Sequence, residues 1–193
     1  MSIHNHSIPR IISPLLPLIG CLLLCACTSH RVQVSLSSAP MMGPAGARTE
    51  LVVFSDFQCS FCKKAAREIR RLQRAHPNQL KVYYKYFPLA YHPYAQRAAQ
   101  AAEAARRQGK FWEMHDQLFA HAEALSDDLV AELAGELELD VKQFVADMNS
   151  PEVIAKVNAD KAEGERLDVN GTPYFIINRT PYHGSYDTLR QKI

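Results

Sequence analysis

The chain alternates between short apolar runs and longer stretches in which apolar residues recur every three or four positions. Leu51–Phe54 is a continuous apolar run with the length of a buried strand. Leu80–Phe87 alternates and is rich in Tyr and Val, and Tyr174–Ile177 is a third short run. The stretch between the second and third runs, about 92–167, has helical periodicity throughout. This order predicts an α/β fold with a mixed sheet and a helical insertion between its two halves.

Capping residues mark where helices of the insertion begin. Ser126, Asp140 and Ser150 each precede a helical segment and belong to the residue types preferred at N-caps. Gln143 stands at the capping-box position behind Asp140, and Pro151 takes the first helical position behind Ser150. The predicted helices of the insertion are 92–107, 111–121, 127–137, 141–148 and 151–167, and a short helix carries Tyr186, Leu189 and Ile193 at the end of the chain.

Composition divides the 193 residues into a leader and one globular domain. The chain is 47% hydrophobic and its formal charge is +2, which gives no indication of a nucleic-acid partner. Residues 1–26 combine a polar stretch containing Arg10 with an apolar run, as in a signal peptide. Two prolines and the limited length of this run argue against a stable membrane-spanning helix. We therefore exclude residues 1–26 from the fold.

The end of the leader, Leu24-Cys25-Ala26-Cys27, resembles a bacterial lipobox, although Cys25 is unusual at the second position. Cys27 would then carry lipid, and plain cleavage or an uncleaved anchor are the alternatives. Thr28, rather than Asp, follows Cys27, which favours outer-membrane sorting in a Gram-negative envelope. We expect a lipid-anchored protein that faces the periplasm.

Residues 27–48 are predicted to connect this anchor to the domain of residues 49–193. They are rich in Ser, Pro, Gly and Ala, as in a flexible tether, which would span roughly 25 Å. Val32, Val34 and Leu36 alternate with polar residues and could form an edge strand of the domain. Nothing in the tether is long enough for a dimerisation domain, so a monomer is expected.

The candidate chemistry lies in Cys59-Ser60-Phe61-Cys62, between the first apolar run and a helix that extends to about His76. Cys59 would occupy the helix N-terminus, where free N–H groups and the helix dipole favour an anion. Cys62 would lie one turn further in. Thiols of such motifs have pKa values of roughly 3.5–7.5, against ~8.5 for a free thiol. This predicts an attacking thiolate at Cys59 and a resolving thiol at Cys62.

The cysteine pair has two other interpretations, half of a zinc site and an inert surface disulfide. Zinc needs two further ligands at short spacing, and neither a second cysteine pair nor a nearby His is present in the sequence. Cys21 and Cys25 leave with the leader and Cys27 is assigned to lipid, so the motif pair remains alone. We expect no metal and no cofactor.

Three segments together resemble a known family, namely 53–62, 109–116 and 169–178. From Glu50 onward the chain is similar to the DsbA-like branch of the thioredoxin superfamily, which implies a thioredoxin-like sheet. The resemblance implies that Pro173, after a cis peptide bond, faces the disulfide. It also implies that the backbone of Thr172 pairs with an extended client segment.

The sequence departs from the family at three places. Ser60-Phe61 stands where the strong oxidases carry Pro-His, and Val53 stands where many relatives hold a buried carboxylate. The hairpin turn, often Asn-Gly, reads Asn178-Arg179. The first two departures leave the redox potential open, and the third changes only the turn.

The combined expectation is an exported thiol-disulfide oxidoreductase that exchanges disulfides with reduced or misoxidised envelope proteins, as a disulfide donor. It would need a redox recycling partner, which the sequence does not identify. The alternatives are a disulfide reductase or isomerase, a non-catalytic surface-anchored binding module of the same fold, and a thiol-based metal carrier. His92 and His115 are expected to be structural.

Overall fold

The structure is a computed structural model and describes Met1 and residues 31–193. The predicted signal peptide, apart from Met1, and the predicted lipidation site Cys27 lie outside the described residues. Within the described part of the chain, no helix has both the length and the apolar character needed to cross a membrane.

Five strands form one mixed sheet in the order β1-β3-β2-β4-β5. Strands β2 and β3 are parallel, and every other neighbouring pair is antiparallel. The predicted α/β class and mixed sheet are therefore confirmed. The strands are β1 (Met41–Met42), β2 (Thr49–Ser55), β3 (Leu80–Tyr86), β4 (Tyr174–Ile177) and β5 (Thr180–Tyr182).

One helix connects the parallel strands, and five helices form the insertion between β3 and β4. Each predicted N-cap side chain accepts a backbone hydrogen bond: Ser126 from Leu129 N, Asp140 from Gln143 N, and Ser150 from Val153 N. The described α-helices are α1 (Ser60–Ala75), α2 (Ala95–Arg107), α3 (Phe111–Ala120), α4 (Asp127–Glu136), α5 (Val141–Met148) and α6 (Pro151–Arg166).

The predicted terminal helix is a 3-10 helix over Tyr186–Gln191. Leu189 is fully buried, and the segment packs against α1. The expected apolar face therefore exists in a tighter helical form.

The two faces of the sheet have separate cores. Leu51 and Val53 of β2 point into a large cluster that also contains side chains of α1 and of the insertion. Val52 and Phe54 point to the other face and pack with Phe87. Helix α6 comes so close to this second face that a Cβ atom added at Gly164 would lie 2.6 Å from the Phe87 ring.

The structure describes residues 31–48 of the segment predicted as a tether, and Val32, Val34 and Leu36 differ there from the predicted edge strand. Val32, Val34 and Leu36 form no strand, and the edge strand next to β3 is β1. The three side chains instead pack on the second core, and Val32 N donates to Arg179 O at 2.7 Å. The alternation did indicate a buried face, but the segment meets this face largely through side chains rather than through a ladder of backbone hydrogen bonds.

A buried ionic cluster fixes the same segment. Lys85 of β3, only 2% exposed, pairs with Asp160 and Glu163 of α6. Lys85 also donates to Ser35 O at 3.0 Å, and Ser35 N donates to a Glu163 carboxylate oxygen at 2.8 Å. Lys156 gives Asp160 a second cationic partner at 2.7 Å. The backbone at Ser35 is thus part of the cluster that joins β3 to α6.

Candidate active site

The turn between β2 and α1 positions the cysteine pair. Asp56 begins the turn, and its buried carboxylate accepts from Gln58 N at 2.7 Å and from Leu89 N at 2.8 Å. The same carboxylate lies 2.9 Å from His92 Nδ1. These contacts connect the turn to the loop between β3 and α2, which holds the start of α1 in place.

The sequence analysis missed Asp56, although its place three residues before Cys59 could have identified it as a turn residue. Asp, Asn and Ser accept local backbone hydrogen bonds in such turns, and Asp56 does so through Gln58 N. His92 is structural, as predicted, because it pairs with this carboxylate.

Cys59 is the N-cap residue of α1 and Cys62 lies in its first turn, as predicted. Both are free thiols in this structure. Cys59 is 6% exposed and Cys62 is 1% exposed. The opening to solvent is therefore narrow, and it leads to Cys59 rather than to Cys62.

The two thiols have very different acidities. Donation from the Cys62 thiol is the largest effect that lowers the pKa of Cys59, which falls to about 5 although burial opposes the shift. The backbone N–H groups of Phe61 and Cys62, at the start of α1, lower the pKa of Cys59 further. Burial raises the pKa of Cys62 well above its usual value, and the neighbouring Cys59 adds to this shift. At neutral pH the reduced pair is therefore a thiolate at Cys59 and a thiol at Cys62.

The Thr172–Pro173 peptide bond is cis. The Thr172 carbonyl oxygen lies 3.4 Å from the Cys59 sulfur and accepts from it when the thiol is protonated. By distance and angle the buried Thr172 hydroxyl makes no hydrogen bond among residues 31–193, but it lies close enough to Cys59 to lower the pKa of that thiol. The fold thus brings this loop, about 110 residues later in the chain, beside Cys59, as the resemblance implied.

Two large exposed side chains lie on the cysteine motif and on the loop between β3 and α2 that contacts Asp56. Phe61, within the motif, is 58% exposed, and Lys64 Nζ lies 5.6 Å from the centre of its ring. Tyr91 is 76% exposed and packs against the ring of His92. Apolar side chains at such exposed positions are available to contact a partner protein.

Among the described residues, no three His, Cys, Asp or Glu side chains are grouped as metal ligands. Chemically, the arrangement offers a stabilised thiolate and a shielded second thiol within one helical turn. Thiol–disulfide exchange requires these two groups and access to a partner's sulfur.

Comparison with known proteins gives a consistent result for the domain. A family model described as the DSBA-like thioredoxin domain matches residues 50–193. The crystal structure of a thioredoxin-like oxidoreductase from Silicibacter pomeroyi is similar, with 31% identity and a TM-score of 0.68 over 79% of this chain and 88% of that one. The thiol-disulfide exchange protein alpha-DsbA2 from Wolbachia pipientis shares the fold, with 22% identity and a TM-score of 0.72 over 81% and 86% of the two chains.

One similar protein is named as an antiporter rather than as an oxidoreductase. A Na(+)/H(+) antiporter, NhaA 3, from Salinispora tropica is 36% identical over 146 residues, which are 75% of this chain and 22% of the antiporter. The chain therefore spans about a fifth of the length of that relative.

Proposed function

The chain belongs to the family of DSBA-like thioredoxin domains, and on this premise we propose that it is an exported thiol-disulfide oxidoreductase that donates disulfides through Cys59 and Cys62. One observation carries the proposal, namely the acidity of Cys59 beside a buried Cys62. A stabilised thiolate favours the reduced form of the enzyme, so the oxidised form gives its disulfide away more readily.

This electrostatic preference supports the proposed direction of exchange. Each pKa unit by which the thiolate is stabilised corresponds to about 30 mV of oxidising potential in a two-electron couple. The Cys59 pKa of about 5 lies between the roughly 7 of thioredoxin and the roughly 3.5 of the strongest donors. We infer a donor of intermediate potential, which agrees with Ser60-Phe61 in place of Pro-His.

The proposed reaction begins with a disulfide between Cys59 and Cys62. A client thiolate attacks the Cys59 sulfur, and the bond to Cys62 breaks. A second client thiolate then attacks the client sulfur of the mixed disulfide and releases Cys59 as a thiolate. The client gains one disulfide and the enzyme becomes a dithiol, which a recycling partner must reoxidise.

We further propose that the loop at Thr172 and Pro173 holds the client during this exchange. The position of the Thr172 carbonyl beside Cys59 supports this, because an extended client paired with this backbone would pass the reactive sulfur. The exposed Phe61 ring would contact the same client. The partners proposed are reduced or misoxidised envelope proteins.

The direction is tested by giving the oxidised domain a reduced, unfolded substrate and, separately, giving the reduced domain a scrambled substrate. We expect rapid stoichiometric oxidation of the first and little unscrambling of the second. Efficient unscrambling, or a potential near the ~−270 mV of thioredoxin, would instead identify a reductase or isomerase.

The roles of the two cysteines are tested by trapping. Cys62→Ala should accumulate mixed disulfides with clients, because the thiol that resolves them by attacking Cys59 is lost. Cys59→Ala serves as the matched control and should trap none. Accumulation with Cys59→Ala instead would reverse the assignment.

We also propose that the domain is a monomer held at the bacterial envelope by lipid on Cys27, at the outer membrane in a Gram-negative cell. The support comes from the lipobox-like residues 24–27. Several acyl chains anchor a protein stably, at ~0.8 kcal/mol per buried CH₂. Mass spectrometry of the N-terminal peptide should find acylated Cys27, and an unmodified N-terminus at or beyond residue 27 would exclude the anchor.

A further inference from the structure

A small cavity lies behind the resolving cysteine, between the sheet and helices α1 and α3. Its volume is about 10 Å³, and its lining includes Cys62, Ser55, Tyr84 and His115. A single water molecule needs roughly 10–15 Å³. The cavity is therefore of the size for one water, and it lies against the one thiol of the pair that solvent does not reach.

Tyr84 gives this cavity a polar wall that lacks a protein partner. The side chain is fully enclosed, and by distance and angle its hydroxyl makes no hydrogen bond within residues 31–193. The Ser55 hydroxyl lies close enough to oppose part of the rise that burial causes in the pKa of Tyr84. A buried hydroxyl without a partner is unfavourable, because it has lost its hydrogen bonds to water. Val53, which also lines the cavity, offers no polar side-chain atom. A water molecule in the cavity would satisfy the hydroxyl.

His115 connects the cavity to the surface. Its ring packs edge-to-face on Tyr84 with the ring centres 5.4 Å apart, and its Nδ1 lies 2.8 Å from Asp116 Oδ1. Burial lowers the pKa of His115, so the imidazole is neutral at pH 7. Donation from Nδ1–H to Asp116 leaves Nε2 as a proton acceptor. The Asp116 side chain is 53% exposed and is paired with Arg70.

The reaction requires a proton to move at Cys62. Burial is the largest cause of the raised pKa of Cys62, and the other two causes come from Cys59. Once Cys59 forms a disulfide with a client, its sulfur carries no charge. It then no longer accepts the hydrogen bond that the Cys62 thiol donates to the thiolate. Burial then remains the main barrier to ionisation of the Cys62 thiol, and a nearby proton acceptor would lower this barrier.

We propose that a water molecule in this cavity, oriented by the Tyr84 and Ser55 hydroxyls, carries the proton of Cys62 to and from His115. The proposal rests on the proposed function and adds the path by which the buried thiol changes its protonation state. Asp116 links this path to bulk solvent. Tyr84, Ser55 and His115 are positioning and proton-relay residues, since the reacting sulfur atoms are those of the cysteines and the client.

The proton and electron balance is the same in both directions. When a client attacks Cys59, the Cys59–Cys62 bond breaks and its electron pair goes to the Cys62 sulfur. The water gives a proton to that sulfur and takes one back from His115 Nε2, which has first been protonated from bulk solvent. In the reverse step the Cys62 thiol gives its proton to the water and the water protonates His115 Nε2. The Cys62 thiolate then attacks the Cys59 sulfur, the enzyme disulfide forms, and the client leaves as a thiolate.

The test follows the reaction of the reduced domain with Ellman's reagent in a stopped-flow instrument between pH 5 and 9. Attack by Cys59 releases a first equivalent of thionitrobenzoate, and resolution by Cys62 releases a second. General acid–base catalysis contributes 10²–10⁴-fold, and we expect Tyr84→Phe, which leaves room for the water, to slow the second phase about tenfold. The dependence of this phase on pH should shift to higher pH, because hydroxide must replace the relay.

The first phase is an internal control, because attack by Cys59 does not require the proton of Cys62 to leave. Tyr83→Phe is the matched control variant: it removes a hydroxyl from the same strand on the opposite face of the sheet, and both phases should stay unchanged. Ser55→Ala and His115→Gln should slow only the second phase. If Tyr84→Phe fails to fold, the second-phase rates of Ser55→Ala and His115→Gln test the relay instead.

Second-phase rates at the wild-type value, or a slowing that is equal at every pH, would overturn the proposed relay. A wild-type domain that releases only one equivalent would instead overturn the proposed roles of the two cysteines. The two failures are therefore distinguishable.

Discussion

At the scale of single residues, the cysteine pair shows how much depends on local hydrogen bonding. Cys59 has no acidic residue in the helical turn that follows it and receives backbone N–H groups at the helix start. Its largest stabilisation comes from the neighbouring thiol of Cys62. The resolving cysteine therefore has a second effect, which is to keep its partner ionised.

Titration of the reduced domain checks this effect. We expect the thiolate absorbance of Cys59 at 240 nm to have its midpoint near the pKa of about 5. In Cys62→Ala the midpoint should move upward, because the donor that contributes most is gone. Cys62→Ser, which keeps a hydrogen-bond donor, should recover part of the difference. A midpoint that does not respond to Cys62→Ala would contradict the assigned cause.

The same pKa gives the reduced domain a pH-dependent stability. The folded pKa of Cys59 is depressed, so its contribution is fully present above the unfolded pKa, near 9, and is lost as pH falls towards 5. The oxidised domain has no such titration. We expect the free energy of unfolding of the reduced form, relative to the oxidised form, to decrease between pH 9 and pH 4 in urea titrations.

At the scale of elements, boundaries follow local sequence closely where a cap is present. The helices behind Ser126, Asp140 and Ser150 begin where the N-cap types predict, because each cap side chain satisfies an otherwise free N–H group. The segment 32–36 was predicted less well. Alternation indicates that one face is buried, but it does not specify the hydrogen-bonding partner of the backbone.

Packing of α6 on the sheet provides a test at this scale. Ala normally stabilises a helix interior by up to ~1 kcal/mol over Gly, and Gly135→Ala in α4 should show this, since its nearest neighbour would be 3.8 Å away. Gly164→Ala should instead lower the free energy of unfolding by about 1–3 kcal/mol, because the new methyl group meets the rings of Phe87 and Phe54. Urea denaturation measures both, and equal effects would contradict the close packing.

At the scale of the whole molecule, the charges behind the sheet join parts of the chain that are far apart in sequence. Lys85, Asp160, Glu163 and the backbone of Ser35 form one buried group. The sequence could not predict this group, because a Lys in a strand and two acids on a helix normally point to solvent. The active-site pair was predicted because its motif and its strand–helix context are contiguous. Tyr84 was not, since only the tertiary structure shows that its hydroxyl has no hydrogen-bond partner in the described part of the chain.

Removal of the lysine tests the cluster. Lys85→Met leaves two carboxylates poorly paired in a buried site, and breaking such a pair costs about 3–5 kcal/mol. Lys81→Met, on the same strand, removes a partly exposed pair with Glu50 and should cost about 1 kcal/mol or less. Thermolysin should also cleave within residues 31–39 faster in Lys85→Met, because Ser35 loses a hydrogen-bond donor. Similar losses of stability for the two variants would contradict a buried ionic role.

The docking of residues 31–39 also sets the height at which the thiols would work above a membrane. If Cys27 carries lipid, only five peptide units separate it from Val32, which is held at Arg179, and they span at most about 18 Å. A domain of this size is roughly 40 Å across. Cys59 would then stay within roughly 60 Å of the lipid surface. The diameter of the domain contributes more to this range than the connection between Cys27 and Val32 does. An enzyme with so short a connection to its anchor would oxidise proteins only in a thin layer beside the membrane. Proteins elsewhere in the compartment would need a different oxidant.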